Sequence, residues 1–383
     1  MEGLIMAGQL ILALSILVII HELGHFLAAR AFGIKVEKFY LFFDVGGVKL
    51  FKYKYKDVEY GIGWLPLGGY VKITGMIDES MDKEAAQRDP EPYEFRAKPA
   101  WQRLIVMLGG IIMNVILGII IFTLHTWYYG ETYVPATELK NGVVAGKLAE
   151  QAGFQTGDVI LKMNGQELKR ANEIISPSVF LDKGVTYTVS RNGEEKTIQL
   201  DDKFGKKLVN AGADSFIQLR NRFIIAKPVA NMPAEKAGIK PGDSVISVNN
   251  NNIVYFNEFS SALAENKNKT VNITVKHKEN NKIETIPVNV DSLGKVGIEA
   301  RNISDIDTTT YNFSESVGRG PKKALDAIVI NAKGIWRLVT GDMPANKSLH
   351  GVIGIANAFG GDWEWISFWA LTGMLSMVLA IMN

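Results

Sequence analysis

Residues Gly3 to Ile20 form an 18-residue stretch without a single charge, and it runs straight into His21-Glu22-Leu23-Gly24-His25. This junction constrains the chain more than any other feature. Continued through the mostly apolar residues to Phe32, the stretch is long enough for a helix that crosses a bilayer. Met1-Glu2 carries no positive charge and no small-x-small site follows the run, so it does not read as a cleaved signal peptide. In a helix of 3.6 residues per turn, positions 21 and 25 point within about 40° of each other. Two imidazoles so placed can share one Zn2+, and Glu22 can reach a water on that ion. Charged and imidazole groups beside a span are costly unless they have partners and a task.

Basic residues set the orientation. Between Arg30 and Arg103 there are 13 Lys and Arg. The positive-inside rule places this segment in the cytoplasm and the N-terminus outside. Val48 to Tyr60 alternates Lys with apolar and aromatic residues, which predicts a strand with a Lys-protected face. Trp64-Leu-Pro-Leu-Gly-Gly-Tyr-Val-Lys72 breaks and restarts a strand. Gly68, Gly69 and Tyr70 are candidates for lining an extended peptide, with an ordinary hairpin as the alternative. Asp78 to Pro99 is charged and proline-containing, and reads as a surface loop.

Leu104 to Trp127 is a second uncharged run, of 24 residues, and predicts a second span running outward. Asn114 lies inside it. An amide in hydrocarbon needs a protein partner, so Asn114 either faces the site and a substrate backbone or joins helices. Gly109-Gly110 would let another helix approach closely. Val317 to Val339 is basic and amphipathic, suited to a membrane surface or to packing on a soluble domain. Trp363, Trp365 and Trp369 are placed like an interfacial belt ahead of a third span, Ile366 to Met382. The run stops at Asn383, which reads as a fragment of a longer protein. His125, His277 and His350 show no paired spacing, and His277 reads as a surface residue.

Residues 133 to 300 are polar and carry a repeat. Ala149-Glu-Gln-Ala-Gly-Phe-Gln-Thr-Gly-Asp-Val-Ile-Leu-Lys-Met-Asn164 matches Ala234 to Asn249 at a constant offset of 85. A period this long suits two tandem small domains. Each copy predicts a short helix ended by Gly153 or Gly238, a Gly-Asp turn and a strand. The second copy, Pro233 to Val245, resembles the PDZ signature; the first has Leu148 in place of the proline. The resemblance implies modules that bind extended peptide ends at a sheet edge. Neither copy has a clear Gly-Leu-Gly-Phe carboxylate loop, so rigid spacers or size filters are the alternative. Net charge is +2, against a nucleic-acid partner, and there is no cysteine to form disulfides or ligate metal.

Taken together, the residues predict a polytopic α-helical membrane protein with a cytoplasm-side β-hairpin/sheet insert and two tandem α+β PDZ domains. The expected segments are 1–32, a first membrane helix with the histidine motif; 33–100, a β-rich insert and loop; 101–128, a second membrane helix; 133–204 and 218–300, the PDZ pair; 312–345, an amphipathic linker helix; and 364–383, the start of a third membrane helix.

His21-Glu22-Leu23-Gly24-His25, Leu65-Pro-Leu-Gly-Gly-Tyr-Val-Lys72, Phe95-Arg-Ala-Lys-Pro-Ala-Trp-Gln-Arg103 leading to Asn114, and the tandem repeat resemble one family. This is the site-2 protease family of intramembrane zinc proteases, of the bacterial regulator of sigma-E protease type. The resemblance implies Zn2+ on His21 and His25 with Glu22 as the catalytic base. It implies a membrane-embedded peptide or protein substrate, pre-trimmed and single-span (an anti-sigma factor or a remnant signal peptide), cleaved within the lipid bilayer. It also implies a multi-pass protein of the bacterial inner membrane with periplasmic PDZ domains that screen substrates. The family's third ligand, an Asp of a Leu-Asp-Gly motif, would lie beyond Asn383, so the chain up to Asn383 is expected to be inactive. Two other readings are a membrane zincin of protein quality control and a non-catalytic PDZ scaffold.

Overall fold

The computed structural model describes residues 1–76, 89–348 and 351–382. The first half of the expected surface loop from Asp78, up to residue 88, lies outside these residues, and so does His350. The chain divides into two units. One comprises residues 1–131, 309–340 and 345–383, the other residues 132–308 and 341–344.

Three helices of the first unit are long and apolar enough to cross a membrane: α1 (Glu2–Ala31), α2 (Ala100–Tyr129) and a terminal helix, Trp365–Met382. Their mutual faces are small or closely fitted. Ala13, Leu17 and Val106 are fully buried. Leu12, Ile19, Leu108, Ile112, Ile116, Ile120 and Leu124 point outward and are exposed. Helices with apolar residues all round fit a lipid solvent, because water would penalise that outer surface.

Between α1 and α2 lies a four-stranded sheet, β1 (Val36–Leu41), β2 (Lys49–Tyr55), β3 (Val58–Gly63) and β4 (Tyr70–Ile73), in the order β2-β3-β1-β4. The single strand expected over Val48 to Tyr60 is two strands. Lys56 at φ 49° and Asp57 make a tight turn, and β2 folds back on β3 with Tyr53 opposite Tyr60. Uniform alternation carried no sign of that reversal. The restart of a strand after the double glycine is β4, which pairs antiparallel with β1 and leaves its other edge open. Phe26, Phe39 and Tyr60 pack together and bind the sheet to α1.

The basic amphipathic segment is α3 (Phe313–Val339), started by an Asn312–Glu315 capping box. Its first half packs on α2. Gly320 sits against Thr123 of α2, and Lys323 Nζ donates to Thr126 Oγ1 at 2.8 Å and pairs with Glu131 at 2.8 Å. Gly351 precedes a short helix, α4 (Val352–Ala358), which is followed by the terminal helix α5 (Trp365–Met382). α5 is tied to α2 by Ser376 Oγ, which donates to the Asn114 carbonyl at 2.7 Å.

The second unit contains two lobes, each with its own apolar core. In the first lobe β5 (Val159–Met163), β6 (Gln166–Glu167), β7 (Thr186–Arg191) and β8 (Glu194–Gln199) form a sheet ordered β8-β7-β5-β6. In the second, β10 (Ser244–Val248), β11 (Asn251–Asn252), β12 (Thr270–Lys276) and β13 (Ile283–Asn289) repeat that order as β11-β10-β12-β13. β9 (Arg222–Pro228) and β14 (Ile298–Ile303) pair separately. The offset of 85 carries β5 onto β10 and β6 onto β11 residue for residue. Both Gly-Asp turns are held alike: Asp158 and Asp243 each accept from the backbone N–H three residues earlier. His277 is not a free surface residue. Its Nδ1 lies 2.8 Å from Asp243 Oδ2, the place that Arg191 takes at Asp158 in the first lobe.

Candidate active site

α1 brings His21 and His25 onto one face, and the approach of α2 closes that face. The ring centroids are 4.9 Å apart and the two Nε2 atoms 3.3 Å apart. Two nitrogens that each lie about 2.0–2.1 Å from one tetrahedral zinc are separated by about 3.3–3.4 Å, so this pair has the spacing of two ligands. The outer nitrogens are taken by α2. His25 Nδ1 lies 2.7 Å from the Val106 carbonyl, which fixes Nδ1–H as the donor and leaves Nε2 its lone pair. His21 Nδ1 lies 3.1 Å from the Asn114 amide.

Gly110 stands opposite both rings. A Cβ there would fall 2.5 Å from His21 Nε2 and 2.6 Å from His25 Nε2, in the space that an ion shared by both would need. The Asn114 side chain is fully buried and its Oδ1 has no hydrogen-bond partner among the described residues. Turned so that oxygen accepts from His21 Nδ1–H, the amide frees His21 Nε2 for a metal and presents its NH2 to the interior. The donor set therefore fits zinc. Among the described residues no third His, Cys, Asp or Glu joins the pair.

Glu22 faces the sheet. Its carboxylate is within hydrogen-bonding reach of the Val71 backbone N–H on β4. Glu22, His25, Asp44, Gly69, Tyr70 and Val71 line a cavity of about 540 Å3. Gly69 is required for this approach, since a Cβ would overlap Val18 of α1 and the Tyr40 carbonyl; at Gly68 it would strike the Phe43 ring. Tyr70 stacks between Tyr40, at 5.2 Å, and Phe43, at 6.4 Å. Its hydroxyl donates to Asp44 Oδ1 at 3.0 Å. Burial and this carboxylate hold the Tyr70 phenol well above its usual range, so it stays a neutral donor.

All of His21, Glu22, His25, Asn114, Gly68, Gly69 and Tyr70 thus surround one region. Sequence reasoning missed Gly110 as a wall of the site, the Val106 carbonyl, Asp44 and Ser376. Gly109-Gly110 reads as a packing pair, and only the crossing of the helices shows that its second member faces the imidazoles. Asp44, an acid between Phe43 and Val45, was the one visible signal for the lock on Tyr70.

Residues 9–383 match the model of peptidase family M50. A Haemophilus influenzae protein named regulator of sigma E protease is 27% identical over 395 residues, covering 98% of this chain and 86% of that protein. A Borreliella burgdorferi protein provisionally named a zinc metalloprotease is 27% identical over 389 residues, 97% of this chain and 84% of its own length. A Thermotoga maritima protein with the same provisional name is 34% identical over 190 residues, 50% of this chain and 36% of that protein.

Proposed function

The chain belongs to peptidase family M50, the zinc-dependent site-2 protease family, and on that premise we propose that His21, Glu22, His25 and Asn114 form the catalytic centre of an endopeptidase acting within the membrane. The observation that carries the proposal is the pair of Nε2 atoms 3.3 Å apart, facing Gly110 and flanked by a carboxylate. Zinc, when bound by His21 and His25, supplies Lewis acidity to the scissile carbonyl and makes a nearby water a stronger acid. Glu22 takes the proton from that water and passes it to the leaving amine. With the amide turned so that its oxygen accepts from His21 Nδ1–H, the Asn114 NH2 donates to the carbonyl oxygen as negative charge builds on it.

A peptide bond within a membrane helix is shielded by its own hydrogen bonds, so the substrate must be extended before it reacts. The open edge of β4 suits that task. It offers backbone groups from Gly69 to Ile73 for strand addition, beside Glu22. The substrates that fit are single membrane-spanning segments already trimmed outside, of the anti-sigma factor or remnant signal peptide kind. With basic residues 30–103 in the cytoplasm, the second unit lies on the outer side of a bacterial inner membrane.

We read the two lobes of that unit as PDZ domains. A groove of about 610 Å3 in the second lobe supports this, lined by Met232, Phe259, Leu263, Val296 and Ile298, where the chain enters β14. It suits an apolar peptide end. Leu263→Arg should abolish binding of such a peptide to the purified protein.

The decisive experiment expresses the full-length protein with a trimmed single-span reporter. Wild type should cleave it and Glu22→Gln should not, with protein and zinc content unchanged. Equal cleavage by both would reject the protease reading in favour of a scaffold.

A further inference from the structure

β2 has a composition that packing does not explain. Leu50 is 68% exposed, Phe51 and Tyr53 are 58% exposed and Tyr55 is 55% exposed, and Val45 and Val48 just ahead of them are also exposed. In water, an edge strand of this kind would invite aggregation. The strand is graded along its length. After Lys49, which is paired with Glu59, comes the apolar Leu50-Phe51, and the remainder is Lys52-Tyr53-Lys54-Tyr55-Lys56.

The packing on α1 gives the gradient a depth. Phe51, Leu41 and Ile62 share a hollow with Ile19, inside the uncharged run of α1. Tyr60, opposite Tyr53, packs on Phe26, two turns further toward the end of the helix. Lys56 lies beyond, at the turn. The apolar segment of β2 is therefore level with the hydrocarbon-length part of α1, and the lysines are level with its basic end. Among the described residues Lys52, Lys54 and Lys56 form no ion pair. Glu59, the acid opposite Lys54, is engaged by Lys49 at 2.9 Å and by the Tyr40 hydroxyl at 2.6 Å.

We propose that β2 is an anionic-phospholipid docking strand: Leu50 and Phe51 enter the acyl region, Tyr53 and Tyr55 sit at the interface, and Lys52, Lys54 and Lys56 hold acidic headgroups. The proposal rests on the reading of α1 as a span with its basic end in the cytoplasm. Charge complementarity selects the occupant, since three lysines with no ion pair among the described residues, beside an apolar strand segment, match an anionic leaflet. The same lysines oppose the alternative of a peptide pairing with this edge. Through β3 and β1 the lipid contact also fixes the height of β4 beside Glu22.

The test uses the full-length protein in vesicles of phosphatidylcholine containing about one third phosphatidylglycerol, and measures association of spin-labelled phosphatidylglycerol relative to spin-labelled phosphatidylcholine. Wild type should prefer the anionic lipid about threefold or more at low salt, and molar salt should remove the preference. The triple variant Lys52→Gln/Lys54→Gln/Lys56→Gln should show a ratio near one, and the matching triple Arg variant should keep the preference. A wild-type ratio of one, or a preference insensitive to salt, overturns the proposal without any variant. A Gln variant that keeps the lipid preference but cleaves with a higher KM in phosphatidylcholine alone also overturns it and makes β2 a substrate edge. Zinc and proteolysis do not enter the lipid readout, so Glu22→Gln should behave as wild type, and failure here leaves the catalytic reading standing.

Discussion

Gly24 of α1 and Gly109 of α2 meet backbone to backbone, so that a Cβ on either would overlap the other's carbonyl group. This contact is what lets Val106, Gly110 and Asn114 reach the imidazoles. Gly24→Ala or Gly109→Ala should therefore push the helices apart, at a cost of about 1–3 kcal/mol or more. A fall of several degrees in melting temperature in detergent, together with lost zinc, is expected. Gly3→Ala, where a Cβ meets nothing, should leave both unchanged.

Zinc content separates ligands from base. His21→Ala and His25→Ala should each lose most of the metal, measured on the purified full-length protein. Gly110→Ala should lose it too, because the methyl group would enter the space between the two Nε2 atoms. Glu22→Gln should keep it. Full zinc in Gly110→Ala would mean that the ion does not lie between these nitrogens.

Asn114→Ala leaves His21 Nδ1 without its partner. Loss of such a supporting contact typically weakens metal binding about 10–100-fold, which competition with a chelator would read. At saturating zinc, cleavage should still fall by about 100–1,000-fold if the amide also donates to the reacting carbonyl. Full recovery of cleavage with added zinc would confine Asn114 to orienting the histidine.

The Tyr40 hydroxyl and the Lys49 ammonium hold the Glu59 carboxyl down at about 2. A depressed folded value means that the carboxylate stabilises the sheet above the ordinary glutamate range. That contribution is lost as pH falls from about 4.5 through about 2. Melting temperatures of wild type should drop across this window more steeply than those of Glu59→Gln. Parallel curves would show that the Tyr40–Glu59–Lys49 cluster contributes nothing to stability.

Much of this was legible one residue at a time. Uncharged runs of helix length mark α1, α2 and α5, since nothing but lipid or a large core accommodates them. The spacing of His21 and His25 follows from helix geometry alone, and the constant offset of 85 announced two similar lobes. Asn114 stood out because an amide in an apolar run must have a partner. By contrast, the fold of β2 back onto β3 depends on a turn at Lys56-Asp57 with no glycine or proline to mark it. The packing of α3 on Thr123 depends on Gly320, one glycine among the 37 in the chain.

The sequence by itself determined which groups could do the chemistry, because local spacing and the cost of polarity in an apolar run are properties of consecutive residues. Only the tertiary structure decided how those groups are used. The Gly24–Gly109 crossing sets which face of α2 looks at His21 and His25, and the close approach at Gly69 brings an open strand edge to Glu22. Both are contacts between residues far apart in the chain, where what matters is the absence of a side chain. A sequence pattern shows which atoms are present, and the space left by a glycine takes on meaning once its neighbour is known.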